Sequence, residues 1–174
     1  MIAQTKWFER TFDFNFPVGI FPSILERLRG TPARVEELVR LYPARIYTLR
    51  RHNSWSIQEH VGHLFDLDAL HEGRIDDYID SKPLLRAADL DNKKTYSANY
   101  NANSMDTLLR NFRVARQHFV YRLENLDEQI FARVSQHPRL KQQMRLVDMM
   151  LFVAEHDDHH LARITQLARE LLKG

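Results

Sequence analysis

Apolar residues recur every three or four positions along most of the chain, which is the period of an amphipathic α-helix. A first helix is predicted to open with Thr31 as N-cap and Pro32 in its first turn, and to end near Leu41. A second helix begins at Ser56, which opens a capping-box sequence, and continues to about Ile79.

A third helix is predicted to begin after Asn103 or Ser104, and a fourth begins near Arg145 and runs almost to the end of the chain. The apolar stripe of this last helix comprises Met149, Val153, Ile164, Leu167 and Leu171. No segment shows the alternating pattern of a half-buried strand. The pattern therefore predicts an all-α fold, a four-helix bundle, in one domain spanning residues 1–174.

The segments outside these helices differ in character. Residues 1–30 are rich in aromatic side chains and are expected to form an arm on the bundle, with a short helix near Phe21–Leu28. Residues 83–103 show no period and predict a long loop between the second and third helices, and such loops often cover a site or an interface. A further loop contains His137 before Pro138, where the histidine is expected to order the chain.

Composition excludes several classes of protein. The chain has no cysteine, so disulfides, cysteine-ligated zinc and a thiolate nucleophile from the protein are excluded. Its 25 Lys and Arg nearly balance 23 Asp and Glu, which argues against a nucleic-acid-binding protein. The N-terminus lacks the apolar stretch of a signal peptide, and no apolar run is long enough to cross a membrane. We therefore expect a soluble cytoplasmic protein that binds neither nucleic acid nor membrane.

Two histidines of the last helix carry the strongest chemical signal. His156 and His160 fall in the middle of the apolar stripe, and residues four apart lie on the same helical face. Burying two imidazoles costs free energy unless they are hydrogen-bonded or bound to a ligand. A metal ion would accept one nitrogen from each, whereas a hydrogen-bonded core pair is the alternative. His159 should point to one side of this pair and Asp158 toward solvent.

A metal ion held tightly needs three or four protein ligands, so a further helix must contribute. The second helix offers three histidines, and each lies within or beside its wide apolar arc: His60, His63 and His71. Spacing alone does not choose among them.

Two stretches taken together resemble the DinB/YfiT-like metalloenzymes of the DinB superfamily. They are W-S-I-Q-E-H-V-G-H-L, from Trp55 to Leu64, and A-E-H-D-D-H-H-L-A-R-I, from Ala154 to Ile164. The likeness extends over most of the chain from about Phe21 and includes H-P-R-L at His137–Leu140 and the acidic Asp148. By this resemblance, the three-histidine metal site of the family corresponds to His63, His156 and His160.

The resemblance implies a metal-dependent enzyme that acts on a small molecule, either as a hydrolase or as a thiol-dependent S-transferase. The cofactor would be one divalent transition metal, zinc, nickel or iron, with a low-molecular-weight thiol in the second case. The resemblance also implies a homodimer. A metal-binding or stress-related interaction protein without turnover is the alternative. A di-iron carboxylate bundle is excluded, since neither Glu59 nor Glu155 is followed by a histidine three residues later.

Other polar residues near the histidines have less specific interpretations. Asp157 gives the string H-D-x-x-H, whose likeness to the zinc-protease H-E-x-x-H is taken as superficial. Asp66 is read as a solvated acid rather than a partner of His63, and Arg74 as half of a surface salt bridge rather than an anion-binding group. Tyr96 and Tyr100 are expected to pack on the bundle rather than reach the metal cavity.

Overall fold

The computed structural model describes residues 2–52 and 54–173, so the predicted arm is described from residue 2 onward. Five α-helices follow one another: α1 (Phe21–Arg40), α2 (Ile57–Ile79), α3 (Lys93–Ser97), α4 (Met105–Glu124) and α5 (Leu146–Lys173). Two strands, β1 (Val134–Gln136) and β2 (Gln143–Arg145), form an antiparallel hairpin. Short 3-10 helices lie at Trp7–Glu9, Val18–Ile20, Ala44–Ile46, Tyr100–Ala102 and Glu128–Ala132.

The four long helices form the predicted bundle. Both α1 and α2 pack against α4 and against α5. The arm, residues 2–20, packs its aromatic side chains on the apolar cluster formed by α5 and the ends of the other helices. In the described part of the chain, no helix is both long and apolar enough to span a membrane.

Two helix starts are confirmed in detail. The Ser56 hydroxyl accepts from the backbone N–H of Glu59, and the Glu59 carboxylate accepts from the backbone N–H of Ser56 at 2.8 Å, which is the predicted capping box. Ser104 caps α4 by accepting from the backbone N–H of Thr107. Each cap satisfies N–H groups that the first turn leaves without a helical partner.

The predicted start of the first helix at Thr31 is wrong, because α1 is continuous from Phe21 and contains Pro32. A proline inside a helix removes the N–H that would bond the carbonyl four residues earlier. Here that carbonyl belongs to Leu28, and it accepts instead from Nη1 of Arg116 at 3.2 Å. A side chain from α4 thus compensates for the missing backbone bond.

The predicted long loop joins α2 to α4 over residues 83–103, but it is not irregular throughout, and the chain also has two short strands that no sequence pattern indicated. The segment contains α3 and a 3-10 turn, and it is tied to the hairpin by the backbone bond from Leu85 N–H to Gln136 O at 3.0 Å. These elements are three to five residues long, too short for a periodic pattern to develop. Asn92 and Asn99 precede the two helical turns with φ values of 53° and 48°, a conformation that asparagine tolerates.

The core divides into two apolar clusters at opposite ends of the bundle. Between them, at mid-height of the long helices, lies a layer of buried polar side chains: Thr31, Asp66, Asp68, His71, Arg116, His156, Asp157 and His160. Arg116 donates to Asp68 at 2.8 Å and to Asp157, so it joins α4 to α2 and α5. The candidate site occupies the same layer.

Candidate metal centre

The structure brings together the three histidines that the resemblance singled out. His63 projects from α2, and His156 and His160 project from successive turns of α5. One ring nitrogen from each lies within 4.8 Å of the others, and all three side chains are buried. His159 lies outside this group, with Nδ1 3.0 Å from Nε2 of Gln4.

Hydrogen bonding fixes which nitrogen of His63 faces the group. Nδ1 of His63 lies 3.1 Å from Oγ1 of Thr95, and that hydroxyl donates to Oδ2 of Asp66 at 3.2 Å. Because the hydroxyl proton goes to the carboxylate, Thr95 can only accept from His63. Nδ1 of His63 therefore carries the proton, and Nε2 keeps a lone pair for a ligand.

His160 has the same orientation. Its Nδ1 lies 2.9 Å from Nδ1 of His60, and its Nε2 lies 3.1 Å from Nε2 of His156. His60 thus holds the ring of His160 from behind, as a hydrogen-bonding partner rather than a member of the group. Nδ1 of His156 is buried and has no hydrogen-bond partner among the described residues.

Burial keeps these imidazoles neutral, as metal ligands must be. It lowers the pKa of His63 to about 4 and that of His60 to about 3, and it holds the pKa of His156 and His160 well below the usual value. Two nitrogens each ~2.0–2.1 Å from one zinc ion lie roughly 3–4 Å apart. The 3.1 Å between the Nε2 atoms of His156 and His160 therefore fits two ligands of one ion.

Asp66 belongs to the site, so its interpretation as a solvated acid is wrong. It is buried, and it accepts from the Tyr100 hydroxyl at 2.6 Å as well as from Thr95. Tyr100 reaches it across α2 only because residue 62 is glycine, where a Cβ would lie 2.3 Å from the tyrosine ring. Nζ of Lys94 lies 3.0 Å from the same carboxylate.

The histidine group opens into a cavity of about 470 Å³. Trp55 lies over His63 with ring centroids 4.6 Å apart, and Trp7 lies against His156 at 4.8 Å. The arm therefore forms part of the cavity wall, which the sequence pattern did not indicate. Tyr96 also lines the cavity, contrary to expectation, whereas Tyr100 packs on the bundle as predicted.

Of the remaining polar residues, Arg74 and Asp158 have roles that differ from their sequence interpretations, whereas Asp157 does not. Arg74 is buried and lines the cavity, and it forms no salt bridge with Asp77, which pairs with Lys82 and Arg86. Asp158 is half-buried and accepts from Arg27 and Arg34. Asp157 is held in the buried ion cluster by Arg116, as expected if its place in H-D-x-x-H has no catalytic meaning.

A family model described as the DinB superfamily matches residues 27–164, which is most of the chain. The chain belongs to the DinB superfamily. Among solved structures, one that resembles this DinB-superfamily chain is YfiT from Bacillus subtilis, described as "a probable metal-dependent hydrolase with an unusual four-helix bundle topology". The two are 20% identical, the match covers 93% of each chain, and the TM-score is 0.78. This likeness shows a shared fold. No curated protein matches the chain.

Proposed function

We propose that this chain is a metal-dependent enzyme that acts on a small molecule, with hydrolysis as its reaction. The observation that carries the proposal is the group of three neutral histidines at the wall of a 470 Å³ cavity. Among the described residues, no carboxylate or fourth histidine joins the group. Three neutral ligands leave the charge of a divalent ion uncompensated and a coordination position open to the cavity.

We propose His63, His156 and His160 as the ligands, each through Nε2. A zinc, nickel or iron ion bound there would lower the pKa of a coordinated water toward ~7 and so supply hydroxide near neutral pH. The chain itself orients the ligands through Thr95 on His63 and His60 on His160. Such partners fix the tautomer of a ligating histidine and raise its basicity.

Thiol-dependent S-transfer is the second candidate reaction. The cavity volume lies in the range of small-molecule sites and leaves room for two reactants. Since the chain has no cysteine, the thiol would have to be a low-molecular-weight cofactor. A non-catalytic metal-binding protein is the alternative function. A single domain, a homodimer and a cytoplasmic location are further proposals, which rest on the sequence and its resemblance.

Activity of the metal-loaded protein tests the proposal. Protein purified without a nickel column should contain about one divalent ion per chain by elemental analysis. Ester hydrolysis and thiol–electrophile conjugation should then be assayed in parallel, and chelation should abolish whichever reaction occurs. His63→Ala should lose metal and turnover together while staying folded, and His118→Ala, an exposed histidine of α4, should keep both. Turnover that survives in metal-free protein or in folded His63→Ala would overturn the mechanism.

A further inference from the structure

Three arginines line the cavity: Arg163 donates to Oε1 of Gln166, and the other two, Arg74 and Arg139, have no carboxylate to neutralise them. Arg74 projects from α2 and Arg139 follows β1, and both border the same space as the three histidines. Within residues 2–52 and 54–173, neither guanidinium forms a salt bridge. Charged groups are rarely buried without a partner, because removing them from water costs several kcal/mol.

Arg74 is the more deeply buried of the two, with 2% of its surface exposed. Its Nε and Nη2 donate to the carbonyl of Arg86 at 3.2 and 3.1 Å, and the hydrogen-bond partner of Nη1 among the described residues is the sulfur of Met149, at 3.7 Å. Burial lowers its pKa to about 10, which still leaves it charged at neutral pH. The Arg74 guanidinium therefore donates to a carbonyl and a thioether, and neither group carries a negative charge.

Two neighbouring groups add hydrogen-bond donors that lack acceptors. Nδ1 of His137 accepts from the backbone N–H groups of Arg139 and Leu140, at 3.3 and 3.1 Å, so the proton of the neutral ring lies on Nε2. Nε2 of His137 and Nη2 of Arg139 are both buried and have no partner among the described residues. His137 and Arg139 both lie against the ring of Phe152, with 5.1 Å between the two ring centroids and 5.6 Å from Cζ of Arg139 to the centroid. Burial, together with the charges of Arg74 and Arg139, lowers the pKa of His137 to about 3.

The rest of the cavity lining supplies little negative charge. Asp89 is the one acidic residue in the described lining, and its carboxylate accepts from the backbone N–H groups of Asp91 and Lys93. Apolar side chains form the wall beside the arginines: Trp7, Leu67, Leu70 and Phe152. This corner of the cavity therefore offers positive charge, free N–H donors and an apolar wall.

We infer that Arg74, Arg139 and His137 form a subsite for the carboxylate group of the substrate, whose apolar body lies against Trp7 and Phe152. A carboxylate offers two oxygens to donors that the protein leaves unpaired, and such charge-assisted bonds are stronger than neutral ones. That the carboxylate belongs to a substrate rests on the proposed function. That the subsite binds a carboxylate can be measured without turnover.

Benzoate and its neutral counterpart benzamide are suitable probes, since they differ mainly in charge. Both tryptophans of the chain line the cavity, so their fluorescence reports binding directly. Benzoate should bind both the metal-loaded and the chelated protein. The affinity for benzamide should be lower than that for benzoate by at least roughly tenfold. Arg139→Met and Arg74→Met should each weaken benzoate roughly tenfold and leave benzamide unchanged.

Arg133→Met is the matched control. Arg133 also donates to main-chain carbonyls, those of Tyr78 and Ile79, but it does not line the cavity, so its replacement should leave benzoate binding unchanged. If Arg74→Met fails to fold, Arg139→Met decides. The Arg139 guanidinium has no salt bridge among the described residues and lies against the rings of Trp7, Phe8 and Phe152, which a methionine side chain can still contact.

Four outcomes would overturn the carboxylate subsite. The first is that benzamide binds as tightly as benzoate, and the second is that folded Arg139→Met binds benzoate as tightly as the parent chain does. The third is benzoate binding that needs the metal and ignores both arginines, which would place the carboxylate on the ion. Inorganic phosphate that binds while benzoate does not would equally overturn the carboxylate assignment. Loss of metal-dependent turnover with benzoate binding intact would count against the proposed function alone.

Discussion

At the scale of single residues, a hydroxyl decides which nitrogen His63 presents to the cavity. Thr95 donates its proton to Asp66, so it must accept from Nδ1 of His63. Tyr100 holds the other oxygen of Asp66, which fixes the carboxylate in place. The lone pair on Nε2 of His63 thus depends on three residues that are not candidate ligands.

Replacing Thr95 with valine should therefore weaken metal binding without removing a ligand. Valine matches threonine in shape but cannot accept from His63, and loss of such a partner typically lowers metal affinity by about 10–100-fold. A competition titration with a zinc chelator measures the change. Thr165→Val is the control, because the Thr165 hydroxyl donates to the carbonyl of Leu161 on its own helix and not to a candidate ligand. Equal affinities for the two variants would show that Thr95 does not position the ligand.

The sequence indicated the histidine pair of the candidate site better than the residues that surround it, for a physical reason. His156 and His160 are four residues apart, so helical periodicity alone places them together. Choosing His63 over His60 needed the family resemblance, since both lie on the buried side of α2. Thr95 lies on the five-residue α3 and Arg139 in the turn between β1 and β2, and no local pattern indicates what a residue in such a short element or turn will contact.

At the scale of elements, Arg116 holds the long helices in register. It bonds Asp68 on α2, Asp157 on α5 and the Leu28 carbonyl that Pro32 leaves free in α1. The prediction that a helix begins at Thr31 was wrong for this reason. Arg116 of another helix donates to the carbonyl that Pro32 cannot bond, so the helix continues through the proline. The capping box at Ser56, the N-cap at Ser104 and the long apolar stripes were predicted correctly because they depend on neighbours within one helix.

Arg116→Met should accordingly be among the most damaging single changes in the chain. It leaves Asp68 and Asp157 buried without a cation, and breaking a buried ion pair in this way costs about 3–5 kcal/mol. Even with Arg116 present, burial raises the pKa of Asp68 to about 6. Arg113→Met, one turn earlier on α4, removes a partly exposed pair with Glu36 and should cost about 1 kcal/mol or less. Urea denaturation measures both, and equal losses would contradict the role assigned to Arg116.

At the scale of the whole molecule, the polar layer makes stability depend on pH. Six of the nine histidines are buried: His60, His63, His71, His137, His156 and His160. Each must be neutral in the folded chain, whereas the unfolded chain protonates them near pH 6.5. Between the unfolded and folded pKa values the unfolded state binds more protons, so the free energy of unfolding falls as the pH falls. The contribution of these neutral histidines to the free energy of unfolding is fully present above about pH 6.5.

The effect of pH on stability can be measured at His137, which is buried but is not a proposed metal ligand. Its folded pKa of about 3 lies below the unfolded value, so its contribution is lost as the pH drops below 6.5. In His137→Asn, whose side-chain oxygen can still accept from the turn, that loss is absent. The stability gap between parent and variant should therefore shrink by about 2 kcal/mol between pH 7 and pH 5, as followed by urea denaturation. His52→Asn, at an exposed position with a φ of 54° that asparagine tolerates, should leave the pH profile parallel to the parent's. A His137→Asn profile that also runs parallel would mean that His137 is not held neutral in the folded chain.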